Sequence, residues 1–195
     1  MAKQPVKELP RADMLRTEIS RVEKQKKYRS TLGTTILWMI VLIVIAVFVS
    51  TTQLPVYRIY GSAMEPTLNE DDIVVAIKNT EYRRGDIIAL WFNSKVLEKR
   101  IIALPGETID IDARGQVFID GKRLKEEYIT KAEIGDIDIN LPYYVPEGRY
   151  FVMGDNRLVS QDSRNSVIGC VAEEQIVGKI VFRVWPYEAI GILKE

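Results

Sequence analysis

The chain has 195 residues, with 27 basic and 27 acidic side chains. This length allows one domain of moderate size plus a small additional segment, since domains usually run to about 100–150 residues. The sequence contains no histidine, which excludes His-dependent catalytic triads and the commonest metal ligand. Its lone cysteine, Cys170, excludes an internal disulfide and a thiolate metal cluster, and the apolar residues around it predict a buried structural role. We therefore expect no cofactor and no metal ion, and any nucleophilic catalysis must use a lysine or a carboxylate as its base.

The net charge of zero hides an asymmetry along the chain. Residues 1–30 contain nine basic and four acidic side chains, a net charge of +5, so the rest of the chain carries a net charge of −5. Within this leader, Leu15, Ile19 and Val22 have helical spacing. One interpretation is a solvated helix or tail, and the other is an amphipathic helix that lies on anionic lipid. In the second case the basic side chains at the headgroups are Lys24, Lys26, Lys27 and Arg29.

An uncharged stretch follows from Leu32 to Leu54, and within it Ile36–Val49 is an unbroken apolar run. Residues 32–54 in a helix, at about 1.5 Å each, span roughly 35 Å, enough to cross a hydrocarbon core of about 30 Å. A cleavable signal peptide is disfavoured by the long basic leader and by the absence of a small-residue cleavage site after the run.

The sequence therefore predicts a cytoplasmic segment over 1–31, a retained transmembrane helix over 32–54 and a domain over 55–195. Because basic residues flank the cytoplasmic end of a membrane span, the domain is expected outside the cytoplasm. The chain is then a single-pass protein of the cell membrane, with the lipid bilayer as one partner.

After Pro55 the pattern becomes typical of strands. Short runs rich in β-branched and aromatic residues alternate with turn residues, and none has a convincing helical period over ten residues. Asp120-Gly121 predicts a two-residue hairpin, because a type I′ turn needs positive φ at both central positions. We expect a mainly β domain, an antiparallel sheet or partly open barrel, after one N-terminal transmembrane helix. The predicted strands are 73–77, 86–92, 96–104, 116–119, 150–153 and 176–185.

Three stretches of this domain form a pattern together: Gly61–Leu68, Lys99–Glu107 and Met153–Arg157. Their order and residues resemble the motifs of type I signal peptidases, and Gly61 resembles the Gram-positive type. The resemblance covers most of residues 56–185. It implies a membrane-anchored endopeptidase that removes N-terminal signal peptides from exported preproteins with a serine–lysine dyad.

The resemblance also implies roles for single residues. Lys99 matches the general base, and its neighbours Leu97 and Ile101 could hold the amine in apolar surroundings that disfavour its charge. Ala63 stands where the family has its serine nucleophile, and Gly61 stands where some members have a second oxyanion donor. The other residues carried over are Met64 and Pro66 of the first motif, Ser160, which would hydrogen-bond the lysine amine, and Asp162 with Arg164, which would form an ion pair. Ile59, Met64, Ile101 and Ile102 are hypotheses for the substrate pockets.

Without a hydroxyl at position 63 the chain is predicted to be inactive as written. Ser62 is an unsuitable substitute, because neighbouring side chains of an extended segment point to opposite sides. An engineered serine-to-alanine change is favoured because Lys99, Ser160 and Asp162 all remain. The alternative is a natural pseudoprotease that binds exported peptides or assists surface assembly.

A third alternative comes from self-cleaving transcriptional repressors, which share the Ser–Lys chemistry. Those proteins carry a DNA-binding module, whereas residues 1–54 show no helix-turn-helix pattern, so no nucleic acid partner is expected. The sequence leaves the oligomeric state open.

Overall fold

The computed structural model describes residues 12–78, 80–129 and 131–193. Its one long helix, α1, runs from Ala12 to Gln53. Within α1, Ser20–Phe48 is long and apolar enough to cross a membrane, with a mean hydropathy of 2.5 in its most apolar window. From Ala12 onward, the basic leader and the apolar span therefore form one continuous helix. Residues 1–11 of the predicted leader lie outside the described residues. The chain divides into two units, the first ending at Val49 and the second beginning at Ser50.

The second unit is built from strands, with two short 3-10 turns at Glu173–Gln175 and Tyr187–Ala189 as its only helical segments among the described residues. Most strands have two to six residues, and only β4 and β11 are longer. In chain order they are β1 Val56–Arg58, β2 Ile73–Ile77, β3 Ile87–Phe92, β4 Lys95–Ala103, β5 Thr108–Ile111, β6 Val117–Ile119, β7 Lys122–Arg123, β8 Tyr143–Tyr144, β9 Arg149–Met153, β10 Val171–Ala172, β11 Ile176–Trp185 and β12 Gly191–Ile192.

All strand pairs that the structure describes are antiparallel. The larger sheet has the order β1-β2-β11-β3-β4-β9-β10, with β12 beside β11, and the smaller has the order β7-β6-β5-β8. Because β1 and β10 lie at opposite ends of this order, the large sheet stays open. The prediction of a mainly antiparallel β domain is confirmed, with an open sheet and not a closed barrel.

The predicted hairpin joins β6 to β7. Asp120 and Gly121 have φ values of 48° and 74°, as a type I′ turn requires. The hairpin pairs Phe118 with Arg123 and Ile119 with Lys122, so β7 forms one edge of the small sheet.

Three apolar clusters hold the domain together. One lies between the small sheet and the β4–β9 pair and includes Ile109, Phe151 and Cys170. A second packs on one face of the large sheet, and a third packs on strands β3, β4 and β9. Cys170 is 6% exposed, and burial raises the pKa of its thiol to about 11, which agrees with the predicted structural role.

Candidate active site

The turn that carries Ala63 is anchored on both sides of that residue. Before it, Gly61 has a φ of +79°, a conformation that glycine adopts without strain. After it, Met64 and Leu68 are buried in the second cluster, and the Leu68 N–H donates to the Met64 carbonyl at 2.9 Å. The Ala63 carbonyl accepts a hydrogen bond of 3.1 Å from the Asn156 N–H. The N–H of Ala63 itself donates to no acceptor in residues 12–78, 80–129 and 131–193.

Lys99 lies in β4, opposite Ile88 of β3, and is only 4% exposed. Burial lowers the pKa of its amine, because the charged form loses its water. The carboxylates of Asp162 and Glu98 oppose this shift in part, while the Arg164 guanidinium adds to it. Lys99 therefore has the buried environment that a lysine base needs.

Ala63 and Lys99 line the same groove, whose volume is about 710 Å³. Its two walls are the edge strand β1 with the residues after it, and the first half of β4. Strand β9 pairs with β4 only from Arg100 onward, so among the strands that the structure describes Lys95–Lys99 have a partner on the β3 side alone. The lining residues are Val56, Tyr57, Arg58, Ile59, Tyr60, Gly61, Ala63, Met64, Trp91, Ser94, Lys95, Val96, Leu97, Glu98 and Lys99.

The groove contains two of the four residues that we expected to form substrate pockets. Ile59 and Met64 line it, but Ile101 and Ile102 do not. Both are at most 1% exposed and belong to the core clusters, because β9 covers this half of β4. The part of the prediction that placed pockets at Ile101 and Ile102 is therefore wrong. Ser62 is also absent from the lining residues, although residues 61–67 form a turn and not the extended segment on which that expectation rested.

Asp162 and Arg164 form the predicted ion pair. The guanidinium donates two hydrogen bonds of 2.8 Å to the two carboxylate oxygens, and both side chains are at most 1% exposed. Arg164 also donates to the carbonyls of Arg157 and Ile134, at 2.9 and 2.7 Å. Asp162 accepts from the Gly154 N–H at 3.0 Å. The pair thus fixes the loop that follows β9.

Gly154 is where this loop meets the turn of Ala63. A Cβ atom at position 154 would lie 2.3 Å from Ser160 Oγ and 2.5 Å from the Ala63 carbonyl oxygen. Real Cβ atoms do not come this close to other heavy atoms, so only glycine fits here. The missing side chain allows the first and last motifs to contact each other.

Ser160 does not make the predicted hydrogen bond to the Lys99 amine. Its Oγ is buried and has no hydrogen-bond partner in the described part of the chain. The backbone explains this, because the Ser160 N–H donates to the Asn156 carbonyl at 3.1 Å and the Ser160 hydroxyl lies against Gly154.

Pro66, the other residue carried over from the first motif, lies outside the groove. It is exposed and lines a separate cavity of about 270 Å³ with Asn156.

A buried network that the sequence analysis missed lies beside Lys99. Arg100 donates to Asp155 through Nε at 2.8 Å and through Nη2 at 2.7 Å, and both side chains are at most 1% exposed. Thr67 donates to the same carboxylate, and the Gly85 carbonyl accepts from Arg100 at 2.6 Å. The arginine directly follows Lys99 in an apolar strand, a sequence signal for a buried cation that needs a partner.

The network extends into residues 124–129. The Arg100 guanidinium lies 3.9 Å from the centre of the Tyr128 ring, a cation–π contact. The Tyr128 hydroxyl donates to Glu126 at 2.7 Å, and Glu126 forms a buried ion pair with Arg157. This chain of contacts attaches an irregular segment to the strands of the site.

Comparisons with known proteins show the family of the chain. Residues 32–185 match the family described as signal peptidase, peptidase S26. The chain is 35% identical over 162 residues to a signal peptidase I of Bacillus amyloliquefaciens, covering 76% of this chain and 83% of that one. It is 32% identical over 187 residues to signal peptidase I T of Bacillus subtilis, covering 88% of this chain and 96% of that one.

A crystal structure of a signal peptidase I from Enterococcus faecalis matches with 34% identity and a TM-score of 0.44, over 51% of this chain and 97% of that chain. Given the family match over residues 32–185 and the identity to the Bacillus enzymes along most of their length, the chain belongs to the type I signal peptidases.

Proposed function

We propose that the groove is the peptide-cleavage site of a membrane-anchored signal peptidase I, with Lys99 as general base and position 63 as the nucleophile position. The observation that carries this proposal is the common placement of Ala63 and the buried Lys99 in one groove. A lysine amine acts as a base only when it is neutral, and burial favours the neutral form.

With serine at position 63, the reaction follows from these residues. The Lys99 amine takes the proton of the hydroxyl as its oxygen attacks the scissile carbonyl carbon. The N–H at position 63 stabilises the oxyanion that forms, and Gly61 contributes no hydroxyl as a second donor. The Lys99 ammonium returns the proton to the leaving amine, so that the peptide bond breaks and an acyl-enzyme remains. A water, deprotonated by Lys99, then releases the acid and restores the hydroxyl.

The alanine at position 63 removes the nucleophile, and the chain is therefore inactive as written. Loss of a catalytic serine costs on the order of 10⁶ in turnover. Apart from the missing hydrogen bond of Ser160, the other parts of the site are in place: Lys99 is buried, Asp162 is paired with Arg164, and the loop that carries this pair contacts the turn of Ala63. The retention of these residues favours an engineered change from serine. The competing function, a natural pseudoprotease that binds exported peptides, is favoured only by the alanine itself.

The preprotein binds as an extended segment between the two open strand edges of the groove. Strand β1 is the edge of the sheet, and Lys95–Lys99 of β4 have no partner on the side away from β3. Backbone groups of both edges can pair with a peptide, while its alternate side chains enter the walls. The signal peptide is itself apolar, so α1 as a membrane anchor raises its effective concentration at the domain. The basic leader is on the cytoplasmic side and the domain on the other.

The test is restoration of activity. Ala63→Ser is expressed as the full chain in detergent micelles or proteoliposomes and incubated with a preprotein that carries a signal peptide. We expect cleavage at the signal-peptide boundary, detected by mass, and none for Ala63→Ser combined with Lys99→Met. Methionine keeps an unbranched chain of similar length and removes the amine, so it is the matched control for packing.

The competing function predicts a different result. If the Ala63→Ser protein binds the preprotein but leaves it intact over a range of pH, the site is a peptide-binding site without catalysis. If the Lys99→Met variant cleaves as fast as its parent, the role of Lys99 as base is wrong.

A further inference from the structure

One wall of the groove carries a carboxylate that the cleavage chemistry does not use. Glu98 immediately precedes Lys99 and is only 9% exposed, and the groove residues buried on the opposite wall, Ile59 and Met64, are apolar. Glu98 pairs across the sheet with Ala89, which belongs to the same cluster as Ile59 and Met64. Side chains directly opposite on neighbouring strands share a face. Glu98 therefore projects to the face that carries these groove residues, whereas Lys99 projects to the other face.

Tyr57 of β1 lies on the opposite wall near this carboxylate. Burial, and then the negative charge of Glu98, raise the pKa of the Tyr57 phenol. Tyr57 and Glu98 both line the groove, one from each strand edge, where a bound peptide would lie.

Among residues 12–78, 80–129 and 131–193 the Glu98 carboxylate forms no ion pair, and its favourable contacts are a backbone hydrogen bond at Glu98 itself and the charge of the neighbouring Lys99 amine. Arg58, which also lines the groove, is paired with Asp71 at 2.9 Å. Lys95 lines the groove but lies an odd number of residues from Glu98, on the other face of β4. Burial raises the pKa of Glu98 to about 6, so the carboxylate is still mainly charged at pH 7.5. Burial outweighs the favourable contacts of this carboxylate, so its charge is costly, and a cationic ligand group would lower that cost.

Resting on the proposed function, we propose that Glu98 determines specificity: it forms a subsite with Tyr57 that selects a preprotein with a lysine or arginine side chain at one position before the cleaved bond. The long alkyl part of such a side chain packs against the apolar wall, and its charged end reaches the carboxylate. The subsite is therefore selective for charge, in contrast to the apolar wall at Ile59 and Met64.

The test uses the chain as it is, because Ala63 allows binding to be measured without cleavage. Fluorescein-labelled peptides that span a signal-peptide boundary carry lysine, norleucine or glutamate in turn at each of the four positions before the bond. Their dissociation constants for the full chain in a neutral detergent at pH 7.5 are measured by anisotropy. At one position we expect binding in the order lysine, norleucine, glutamate, with lysine on the order of tenfold tighter than norleucine.

Glu98→Gln removes the charge and keeps the shape, and we expect it to bring the lysine-to-norleucine ratio at that position close to one. Glu70→Gln removes an exposed carboxylate outside the groove and should leave the ratio unchanged. The peptide series on the unaltered chain gives the answer even if a Glu98 variant folds poorly.

Two negative results are distinguishable. If peptides bind but lysine has no advantage at any of the four positions, or the advantage persists in Glu98→Gln, the role of Glu98 is overturned while the groove as peptide site stands. If no peptide binds at all, the proposed function fails and the subsite with it.

Discussion

Arg100 and Asp155 form an ion pair that is almost completely out of contact with water, one residue beyond Lys99 in β4. The pair joins the end of β9 to the strand that carries Lys99, and Tyr128 covers the guanidinium. Because the pair is buried, removing one partner should lower the free energy of unfolding strongly. A buried charge left without its partner is much more costly than an exposed one.

Asp155→Ala should therefore destabilise the domain by about 3–5 kcal/mol, because the Arg100 guanidinium stays buried without its carboxylate. Denaturant unfolding followed by tryptophan fluorescence measures the loss. The control is Asp71→Asn, which removes the charge of the exposed partner of Arg58, keeps a residue type that tolerates the φ of 71° at this position, and should cost at most about 1 kcal/mol. Equal losses for the two variants would contradict the assignment of Arg100–Asp155 as a structural pair.

Gly154→Ala tests the contact between the first and last motifs. The added methyl group would lie 2.3 Å from Ser160 Oγ and 2.5 Å from the Ala63 carbonyl oxygen, so backbone has to move. We expect a loss of about 1–3 kcal/mol of unfolding free energy and, in the Ala63→Ser background, a loss of cleavage. Gly191→Ala is the control, since a Cβ there meets nothing within 4 Å. A Gly154→Ala protein with the melting temperature and activity of its parent would contradict this packing.

The lowered pKa of Lys99 predicts the pH dependence of a restored enzyme. The base is the neutral amine, so kcat/KM of Ala63→Ser should rise with pH and level off above the pKa of Lys99, which lies below the ordinary 10.5. Initial cleavage rates of a fluorogenic signal-peptide substrate between pH 5 and pH 10 measure this. A profile that falls with rising pH over this range would exclude Lys99 as the base.

The same group links stability to pH. Between the lowered pKa and 10.5 the unfolded chain holds a proton on Lys99 that the folded chain has lost, so the free energy of unfolding rises with pH in that window. Lys99→Met should abolish this contribution. The difference in melting temperature between parent and variant should then favour the variant most at low pH, where the parent must bury a charge.

Glu126→Gln tests how residues 124–129 are held. It leaves the buried Arg157 without a charged partner, so we expect a loss of about 3 kcal/mol and faster tryptic cleavage after Lys125 and Lys131. Glu127→Gln, which removes only the exposed partner of Lys125, should change neither. Unchanged cleavage rates in Glu126→Gln would mean that this segment is held by its apolar contacts alone.

Much of the fold was predictable because the long strands have a strong sequence signal. The predicted bounds 73–77 and 176–185 are those of β2 and β11. Strands β1, β5, β8, β10 and β12 were not predicted, because they have two to four residues and form through pairing with distant partners. In β5, buried Ile109 and Ile111 alternate with partly exposed Thr108 and Asp110, a signal too short to separate from a turn.

The parts of the site that lie within one short motif were predictable from the sequence. The parts that depend on contacts between several motifs were less predictable. Asp162 and Arg164 are two residues apart and pair as expected. The predicted hydrogen bond between the Ser160 hydroxyl and the Lys99 amine is not formed, because a hydrogen bond from the Ser160 N–H to the Asn156 carbonyl holds that backbone. Apolar character alone could not show that β9 covers Ile101 and Ile102, nor that Glu98 lies on a wall of the groove.

Strand β4 gains a second strand neighbour at Arg100, and this determines which of its residues can be replaced. From Arg100 onward the strand is enclosed by neighbours on both sides, so most replacements there disturb the core. Lys95–Leu97 line the groove, are exposed or half-buried and have one strand neighbour among the described residues, so replacements at these positions should cost little in folding. Positions that tolerate replacement and the buried Lys99 therefore lie within one continuous piece of backbone.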